Sequence, residues 1–266
     1  MNVLRRNLSS RAQYYSRADA IVVSVPKSGR TWLRVFLYAY FSAVLNRSFT
    51  LNEKEILNSP LPKLIFTHDL WEHVATARLK DRLRGKHLVP PLESRRKPIV
   101  LLARDPRDVV VSLFFQQTKR IRRYEGTPSE MIRHPRFGIG LIVDIMNTWM
   151  AEWGNRANFK LVRYEDCQEN APKVFHELLS FLAFGEIDPA AFKRSLEFAS
   201  FENMKAMEAG GRFETGILSP GDPKDPDSFK VRRGRVGGYR EHFSSEDILY
   251  LGQAINLLDR RYGYII

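Results

Sequence analysis

Cysteine is almost absent from this sequence, which holds one, Cys167, among 266 residues. A single cysteine excludes an intramolecular disulfide and a cysteine metal cluster, and it fits a reducing compartment, so we expect a cytoplasmic location. No run of 18 apolar residues occurs, so no membrane span is expected. The basic N-terminal segment, residues 1–19, lacks the apolar core of a secretory signal. Its contact with a membrane surface is left open.

Acidic residues are in deficit, with 30 Asp and Glu against 42 Lys and Arg, which gives a net charge of +12. Such a charge attracts anionic ligands, whether nucleic acid, phosphorylated cofactors, acidic glycans or lipid. No zinc finger, helix-turn-helix signature or RNA-binding aromatic motif is present, so a specific nucleic-acid partner is not expected. No cluster with metal-ligand spacing is present either, so no metal is expected.

Four apolar runs alternate with amphipathic patterns and indicate the fold. The runs lie at 20–25, 63–67, 98–103 and 159–163, and helices are predicted at 31–45, 106–121, 139–154, 171–184 and 245–258. This alternation predicts a single α/β domain over residues 20–266, with a central parallel sheet flanked by helices. Ligands of such sheets bind beyond the carboxyl ends of the strands. We therefore expect Pro26, His68, Arg104 and Tyr164, which each follow a predicted strand, to meet at one edge.

Regular structure is not expected over residues 206–238. This segment holds seven of the 16 glycines and three prolines, and a basic run begins at Lys230. Long loops inside compact domains are often functional lids. We interpret this one as a lid that orders over an anionic ligand.

A phosphate-binding loop is predicted between the first strand and the first helix, at Pro26-Lys27-Ser28-Gly29-Arg30-Thr31. Backbone N–H groups at a helix N-terminus, with the positive end of the helix dipole behind them, bind phosphate. Nucleotide triphosphatases use G-x-x-x-x-G-K-[ST] for this purpose. Here Lys27 precedes Gly29 and no glycine occurs earlier. A basic turn without a ligand is the alternative for this segment alone.

Three further groups suit anion chemistry. Arg104 and Ser112 lie eight residues apart across a predicted helix start, and Arg104 either contacts phosphate or pairs with Asp108. His68 ends a strand after Thr67, and a histidine there suits a general base. The run from Arg232 to Arg240 combines cations with glycines, which suits a phosphate clamp or a solvated loop.

Together these groups resemble the motifs of the cytosolic-type sulfotransferases, which use 3′-phosphoadenosine 5′-phosphosulfate (PAPS). The matches occur in the family's order: Val25-Pro26-Lys27-Ser28-Gly29-Arg30-Thr31-Trp32, Thr67-His68, Arg104 with Ser112, Tyr164-Glu165-Asp166, Ser200-Phe201-Glu202-Asn203-Met204-Lys205, and Arg232-Arg233-Gly234-Arg235-Val236-Gly237. One match alone is weak evidence, whereas six in order are strong.

The resemblance implies roles for these residues. The 5′-phosphosulfate is expected at Lys27, Ser28, Gly29, Arg30 and Thr31, the adenine between Trp32 and Phe201, and the 3′-phosphate at Arg104, Ser112, Arg232, Arg233 and Gly234, with Tyr164 at the nucleoside. His68 is the expected general base. Lys27 is expected to stabilise charge on the leaving phosphate in a direct in-line transfer that needs no metal.

The chain departs from the family pattern at several positions. Arg30 stands where the family usually has Thr, and Phe66 stands where many members have Lys, two residues before the histidine. Arg233 replaces Lys. The family's dimerisation segment is absent from residues 242–247, so the oligomeric state stays open.

The acceptor is not set by the sequence. Its pocket is expected from loops near 70–91, 116–140 and 207–229, which mix aromatic and basic residues. A hydroxyl or amine of a small molecule, glycolipid or saccharide is preferred. Two alternatives are a small-molecule kinase, with Asp105 and Asp108 as the convenient magnesium ligands, and a non-catalytic binder of nucleotides or polyanions.

Overall fold

Four short strands form one parallel sheet at the centre of the protein. The computed structural model describes residues 11–211, 217–232 and 234–265. Its strands are β1 (Ala20–Ser24), β2 (Leu64–Thr67), β3 (Ile99–Ala103) and β4 (Phe159–Arg163). They are ordered β2-β1-β3-β4, and every neighbouring pair is parallel. The predicted α/β fold is confirmed, and each strand begins or ends within one residue of its predicted bounds.

Both faces of the sheet are covered, which explains the continuous apolar runs of the inner strands. Every residue of β1 and β3 is buried. Successive side chains of a strand alternate between faces, so Ile21 and Val23 enter one core while Ala20 and Val22 enter the other. A parallel sheet buried on both faces needs apolar residues at every position.

Helices surround the sheet on both faces. They are α1 (Arg30–Val44), α2 (Glu53–Leu57), α3 (Leu79–Leu83), α4 (Pro91–Arg96), α5 (Pro106–Phe115), α6 (Pro128–Arg133), α7 (Ile139–Trp153), α8 (Tyr164–Leu182), α9 (Pro189–Phe198), α10 (Phe201–Ala209) and α11 (Ser245–Asn256). Two π-helical turns, Glu72–Thr76 and Gln116–Arg120, and three 3₁₀ turns, Pro226–Ser228, Gly238–Glu241 and Arg260–Tyr262, are also present. Residues 11–16 are helical as well. None of the described helices is long and apolar enough to cross a membrane.

Two helices differ from the sequence prediction. The helix predicted at 106–121 is α5, which changes to the π-helical turn at Gln116. The helix predicted at 171–184 already starts at Tyr164, with a non-helical residue at Asn170 just before the predicted start. Asn170 precedes Ala171 and Pro172, and proline inside a helix removes a backbone hydrogen bond. The amphipathic sequence pattern therefore predicted only the second half of α8.

The strand order creates a crevice at the carboxyl edge of the sheet. From β1 the chain leads to β2 on one side, while β3 and β4 lie on the other side. Loops that leave β1 and β3 therefore diverge, and ligands of open α/β sheets bind in the crevice between them. Residues 25–29 and 104–105 occupy this position.

Candidate active site

The loop after β1 turns sharply into α1 through two residues with left-handed backbone. Lys27 has φ 71° and Gly29 has φ 91°. A Cβ at Gly29 would lie 2.7 Å from Cδ2 of Tyr164, closer than side chains approach one another. Glycine is therefore required by both the backbone and the space. The turn leaves the first N–H groups of α1 without helical partners, as in phosphate-binding loops.

A cavity of about 520 Å³ opens at this edge of the sheet. It brings together residues that follow all four strands, as the sequence predicts: Pro26, His68, Arg104 and Tyr164. Of the predicted donor-binding residues, the cavity is lined by Lys27, Gly29, Arg30, Thr31, Trp32, Arg104, Ser112, Tyr164, Phe201, Arg232 and Gly234. Ser28 is fully buried within the loop and does not line the cavity, and Arg233 lies outside the described residues.

Arg104 connects three parts of the site. Its Nη1 donates to the carbonyl oxygen of Lys27 at 3.2 Å, and its Nη2 donates to that of Arg235 at 2.9 Å. Its guanidinium carbon stacks 4.4 Å from the ring centre of Tyr164. The pairing with Asp108 also forms, at a looser 3.8 Å. Arg104 thus contacts Asp108 and also lines the cavity, while its contact with phosphate stays a prediction.

Asp108 holds the segment that contains the final basic run. Its two carboxylate oxygens accept hydrogen bonds from the backbone N–H groups of Gly237, at 2.8 Å, and Tyr239, at 3.0 Å. Asp108 is buried, near the start of α5. The residues around Arg235 are thereby fixed over the cavity from the β3 side.

Aromatic rings form one wall of the cavity. Trp32 packs edge-on against Tyr164, with ring centres 6.1 Å apart. Phe201, at the start of α10, also lines the cavity, and a Cβ at Gly234 would lie 2.8 Å from its ring. Gly234 has φ 63°, so a glycine is needed here as well. The wall suits a planar base, because aromatic rings prefer offset or edge-on contacts with one another.

Positive charge is concentrated around Lys27. Burial, together with the positive charges of Arg120, Lys230 and Arg104, lowers the pKa of Lys27 to about 7. Burial and the charge of Arg120 likewise lower the pKa of Lys230 to about 8. Sequence reasoning did not select Arg120 or Lys230 individually. Each lies in a basic cluster of the sequence, Lys119–Arg123 for Arg120 and Lys230–Arg240 for Lys230, and this clustering is the signal that could have found them.

His68 lies in the same cavity with its ring orientation fixed. Its Nδ1 is 2.7 Å from the carbonyl oxygen of Ser24. Since a carbonyl oxygen only accepts hydrogen bonds, Nδ1 carries the hydrogen, and Nε2 of the neutral ring is an acceptor. Burial, and then the positive charge of Arg30, hold the pKa of His68 well below its ordinary value. The ring is therefore neutral near pH 7.

The site just described occurs in a chain that matches a known family over most of its length. A profile of the sulfotransferase domain matches residues 17–257. The chain belongs to the sulfotransferase family. Cytosolic sulfotransferase 13 of Arabidopsis thaliana is 24% identical over 256 residues, covering 90% of this chain and 76% of its own. The amine sulfotransferase of Oryctolagus cuniculus is 26% identical over 251 residues, covering 86% of this chain and 76% of its own.

Solved sulfotransferase-like structures share the fold. Mouse sulfotransferase SULT7A1, solved in complex with PAP, superposes with a TM-score of 0.60 at 17% identity and covers 90% of this chain and 84% of its own. Retinol dehydratase, solved with retinol and PAP, superposes with a TM-score of 0.63 at 19% identity, and the match covers 95% of this chain and 85% of retinol dehydratase. The chain is thus a PAPS-dependent sulfotransferase, as its motifs predict.

Proposed function

We propose that the enzyme transfers the sulfuryl group of PAPS directly to a hydroxyl or amine of its acceptor, with His68 as the general base. The observation that carries this proposal is the fixed ring of His68, whose Nδ1 bonds the carbonyl oxygen of Ser24 in the cavity that Lys27 also lines. A neutral imidazole with a bare Nε2 is the form a general base requires.

The residues of the cavity fit a donor with two phosphate-bearing ends. One end is the loop from Lys27 to Thr31, where the N-terminus of α1 and Lys27 would hold the 5′-phosphosulfate. The other is the group of Arg104, Ser112, Arg232 and Gly234, which would hold the 3′-phosphate. The resemblance adds Arg233, which lies outside the described residues. Trp32 and Phe201 would flank the adenine, and Tyr164 would contact the nucleoside. Bound there, the donor supplies an activated sulfuryl group.

The transfer forms one bond as another breaks. His68 Nε2 accepts the proton of the acceptor, whose oxygen or nitrogen bonds to sulfur. The bond from sulfur to the bridging oxygen breaks, and its electron pair stays on that oxygen of the departing PAP. Lys27, protonated in the presence of the polyanion, stabilises this charge. Electrostatic stabilisation of developing charge is often the largest catalytic contribution.

The acceptor is proposed to be a small molecule, glycolipid or saccharide. Retinol dehydratase, which shares the fold, was solved with retinol and with androsterone, and this supports a small-molecule acceptor. A cytoplasmic location is also proposed, because several relatives are named cytosolic sulfotransferases.

Replacing His68 with Ala tests the base. We expect turnover of PAPS with an accepted phenol or amine to fall by at least about 10²-fold, while the PAP dissociation constant changes little in calorimetric titration. His176→Ala is the matched control, since His176 is exposed on α8. Unchanged turnover in His68→Ala would contradict the proposed role of His68 as general base. A wild-type protein that binds ATP as well as PAP, both without magnesium, contradicts the proposed donor site.

A further inference from the structure

Two arginines on α1 lack a hydrogen-bonded or ion-paired partner among the described residues. Arg30 and Arg34 are half-buried and lie four residues apart, so their side chains share one helix face. Within residues 11–211, 217–232 and 234–265, neither guanidinium forms a hydrogen bond or an ion pair with another residue, and Nε of Arg34 is fully shielded from solvent. Buried guanidinium groups without partners are unfavourable and attract an anion.

The two arginines face different spaces. Arg30 lines the large cavity together with His68 and the phosphate-binding loop. Arg34 lines a second pocket of about 160 Å³, whose wall includes Tyr14, Tyr38 and Phe66. One helical turn separates the arginines, a rise of about 6 Å. A molecule held at both would therefore reach from the neighbourhood of His68 into the second pocket.

Phe66 fixes Arg34 beside the catalytic strand. The guanidinium carbon of Arg34 stacks 4.3 Å from the ring centre of Phe66, and Phe66 lies in β2, two residues before His68. Many members of the family have a lysine at the position that corresponds to Phe66. Here an aromatic ring stands there, and the positive charge comes from α1 instead.

The acidic residues nearby attract these arginines but form no ion pair with them among the described residues. Glu53 lines the pocket of Arg34, but its Oε1 accepts a hydrogen bond from Tyr14 at 2.9 Å. Glu72 lies 3.3 Å from Nδ1 of His87. Despite the attraction of Glu72, burial and the charge of Arg34 lower the pKa of Arg30 to about 10. Positive charge thus stays in excess on this side of the strand.

We propose that Arg30 and Arg34 bind an anionic group of the acceptor, so that the enzyme sulfates hydroxyl compounds carrying a carboxylate, sulfonate, sulfate or phosphate. This inference rests on the proposed function, since it requires the acceptor to lie beside His68. Arg30 serves both the donor loop and the acceptor, whereas Arg34 does not line the donor cavity. Arg34 is therefore the residue that separates the two roles.

Three aryl alcohols of one shape test the proposal: 2-naphthol, 6-hydroxy-2-naphthoate and 6-hydroxynaphthalene-2-sulfonate. With PAPS, we expect the wild type to favour an anionic compound over 2-naphthol by about tenfold or more in kcat/KM. Arg34→Met should reduce that ratio by about tenfold. Whether the naphthoate or the sulfonate is preferred identifies the anion. Arg47→Met is the control, since Arg47 is exposed just beyond the end of α1 and should keep the wild-type ratio.

A wild-type ratio near one, or a ratio that Arg34→Met leaves unchanged, overturns the proposal. If no compound is turned over, calorimetric titration of each into the PAP-loaded protein measures the same ratio, and equal or absent binding overturns it as well. The proposed function fails separately, through loss of PAP binding by the wild type or retention of activity by His68→Ala. An enzyme that binds PAP and needs His68 but ignores the charge of the acceptor contradicts only the inference about Arg34.

Discussion

Gly29 joins the phosphate-binding loop to the aromatic wall of the donor cavity. Its backbone is left-handed, and Tyr164 lies where a side chain would extend. Tyr164 in turn supports the guanidinium of Arg104. One residue thus couples the loop after β1 to the residues that follow β3 and β4.

Replacing Gly29 with Ala is expected to destabilise the protein by roughly 2–4 kcal/mol and to weaken PAP binding. Backbone strain in the left-handed region accounts for part of the loss, and the contact with Tyr164 accounts for the rest. Thermal or chemical denaturation measures the free energy of unfolding. Gly185→Ala is the matched control: Gly185 has φ 110°, and nothing lies within 4 Å of its added Cβ, so only strain applies there.

Equal losses in Gly29→Ala and Gly185→Ala would show that Tyr164 yields without cost. If the contact matters, Tyr164→Ala should make the Gly29→Ala change less destabilising than it is in the wild type. The coupling between the two positions is measured by the double-mutant cycle.

Residues with a fixed place in a motif could be predicted from the sequence, whereas others could not. Lys27, His68 and Arg104 follow strands, so their meeting at the sheet edge could be predicted. Arg120 ends a π-helical turn and Lys230 lies in a segment without helix or strand, and both lie near Lys27 although they are distant from it in the chain. Their positions depend on how those segments fold back, which periodicity does not encode.

At the scale of secondary-structure elements, α5 controls the segment over the cavity. Asp108 in its first turn accepts hydrogen bonds from two backbone N–H groups of that segment, at Gly237 and Tyr239. Arg104 adds a third link through the carbonyl oxygen of Arg235. We propose that the described residues 217–232 and 234–238 of the predicted lid, 206–238, cover the donor and are held at one end by these bonds.

Asp108→Asn should loosen this lid while leaving the sheet intact. The amide oxygen of Asn can accept one of the two backbone N–H groups, but its NH₂ group is a donor and cannot accept the other. One charge-assisted hydrogen bond is therefore lost, at a cost of about 1.5–3 kcal/mol. We expect PAP affinity to fall by about tenfold or more. Amide hydrogen exchange over residues 234–241 should also rise.

Asp259→Asn controls for the loss of a carboxylate, because Asp259 caps the 3₁₀ turn Arg260–Tyr262. It should preserve PAP affinity and the exchange of residues 234–241. Unaltered PAP affinity in Asp108→Asn would show that the segment covers the cavity without contributing to binding.

The strands were easier to predict than the helices for a physical reason. Strands buried on both faces appear as short apolar runs, whatever surrounds them. The helices α9 and α10 were not predicted, although Asp188 and Ser200 cap them with side-chain hydrogen bonds. Their exposed faces are polar and their lengths are 10 and 9 residues, so the apolar stripe gives a weak signal. Residues 206–209 of the predicted lid belong to α10.

At the scale of the whole molecule, part of the positive charge behind the net +12 lies where it costs stability. Lys27, Arg120 and Lys230 repel one another in the donor cavity. A polyanionic ligand would relieve this repulsion, so the same charges that weaken the free protein strengthen its complex. Functional sites commonly carry such a loss of stability.

This repulsion predicts how stability depends on pH. The pKa of Lys27 is about 7 in the folded protein, against 10.5 for an unperturbed lysine. Between about pH 7.5 and 9.5 the unfolded chain therefore holds a proton that the folded protein has released. Stability rises with pH wherever the unfolded state binds more protons. We expect Lys27 to contribute an increase of up to about 1 kcal/mol per pH unit in this window.

Chemical denaturation at a series of pH values measures this slope in the ligand-free protein. Lys27→Met should flatten the slope and raise the stability near pH 7, since it removes a buried charge among like charges. Lys224→Met, at an exposed position, should leave the slope unchanged. Saturating PAP should reduce the wild-type slope, because the bound anion restores the proton of Lys27. If stability depends on pH equally in the wild type and in Lys27→Met, then Lys27 keeps its proton in the ligand-free protein. The cations of the cavity would then remain charged together without a bound anion.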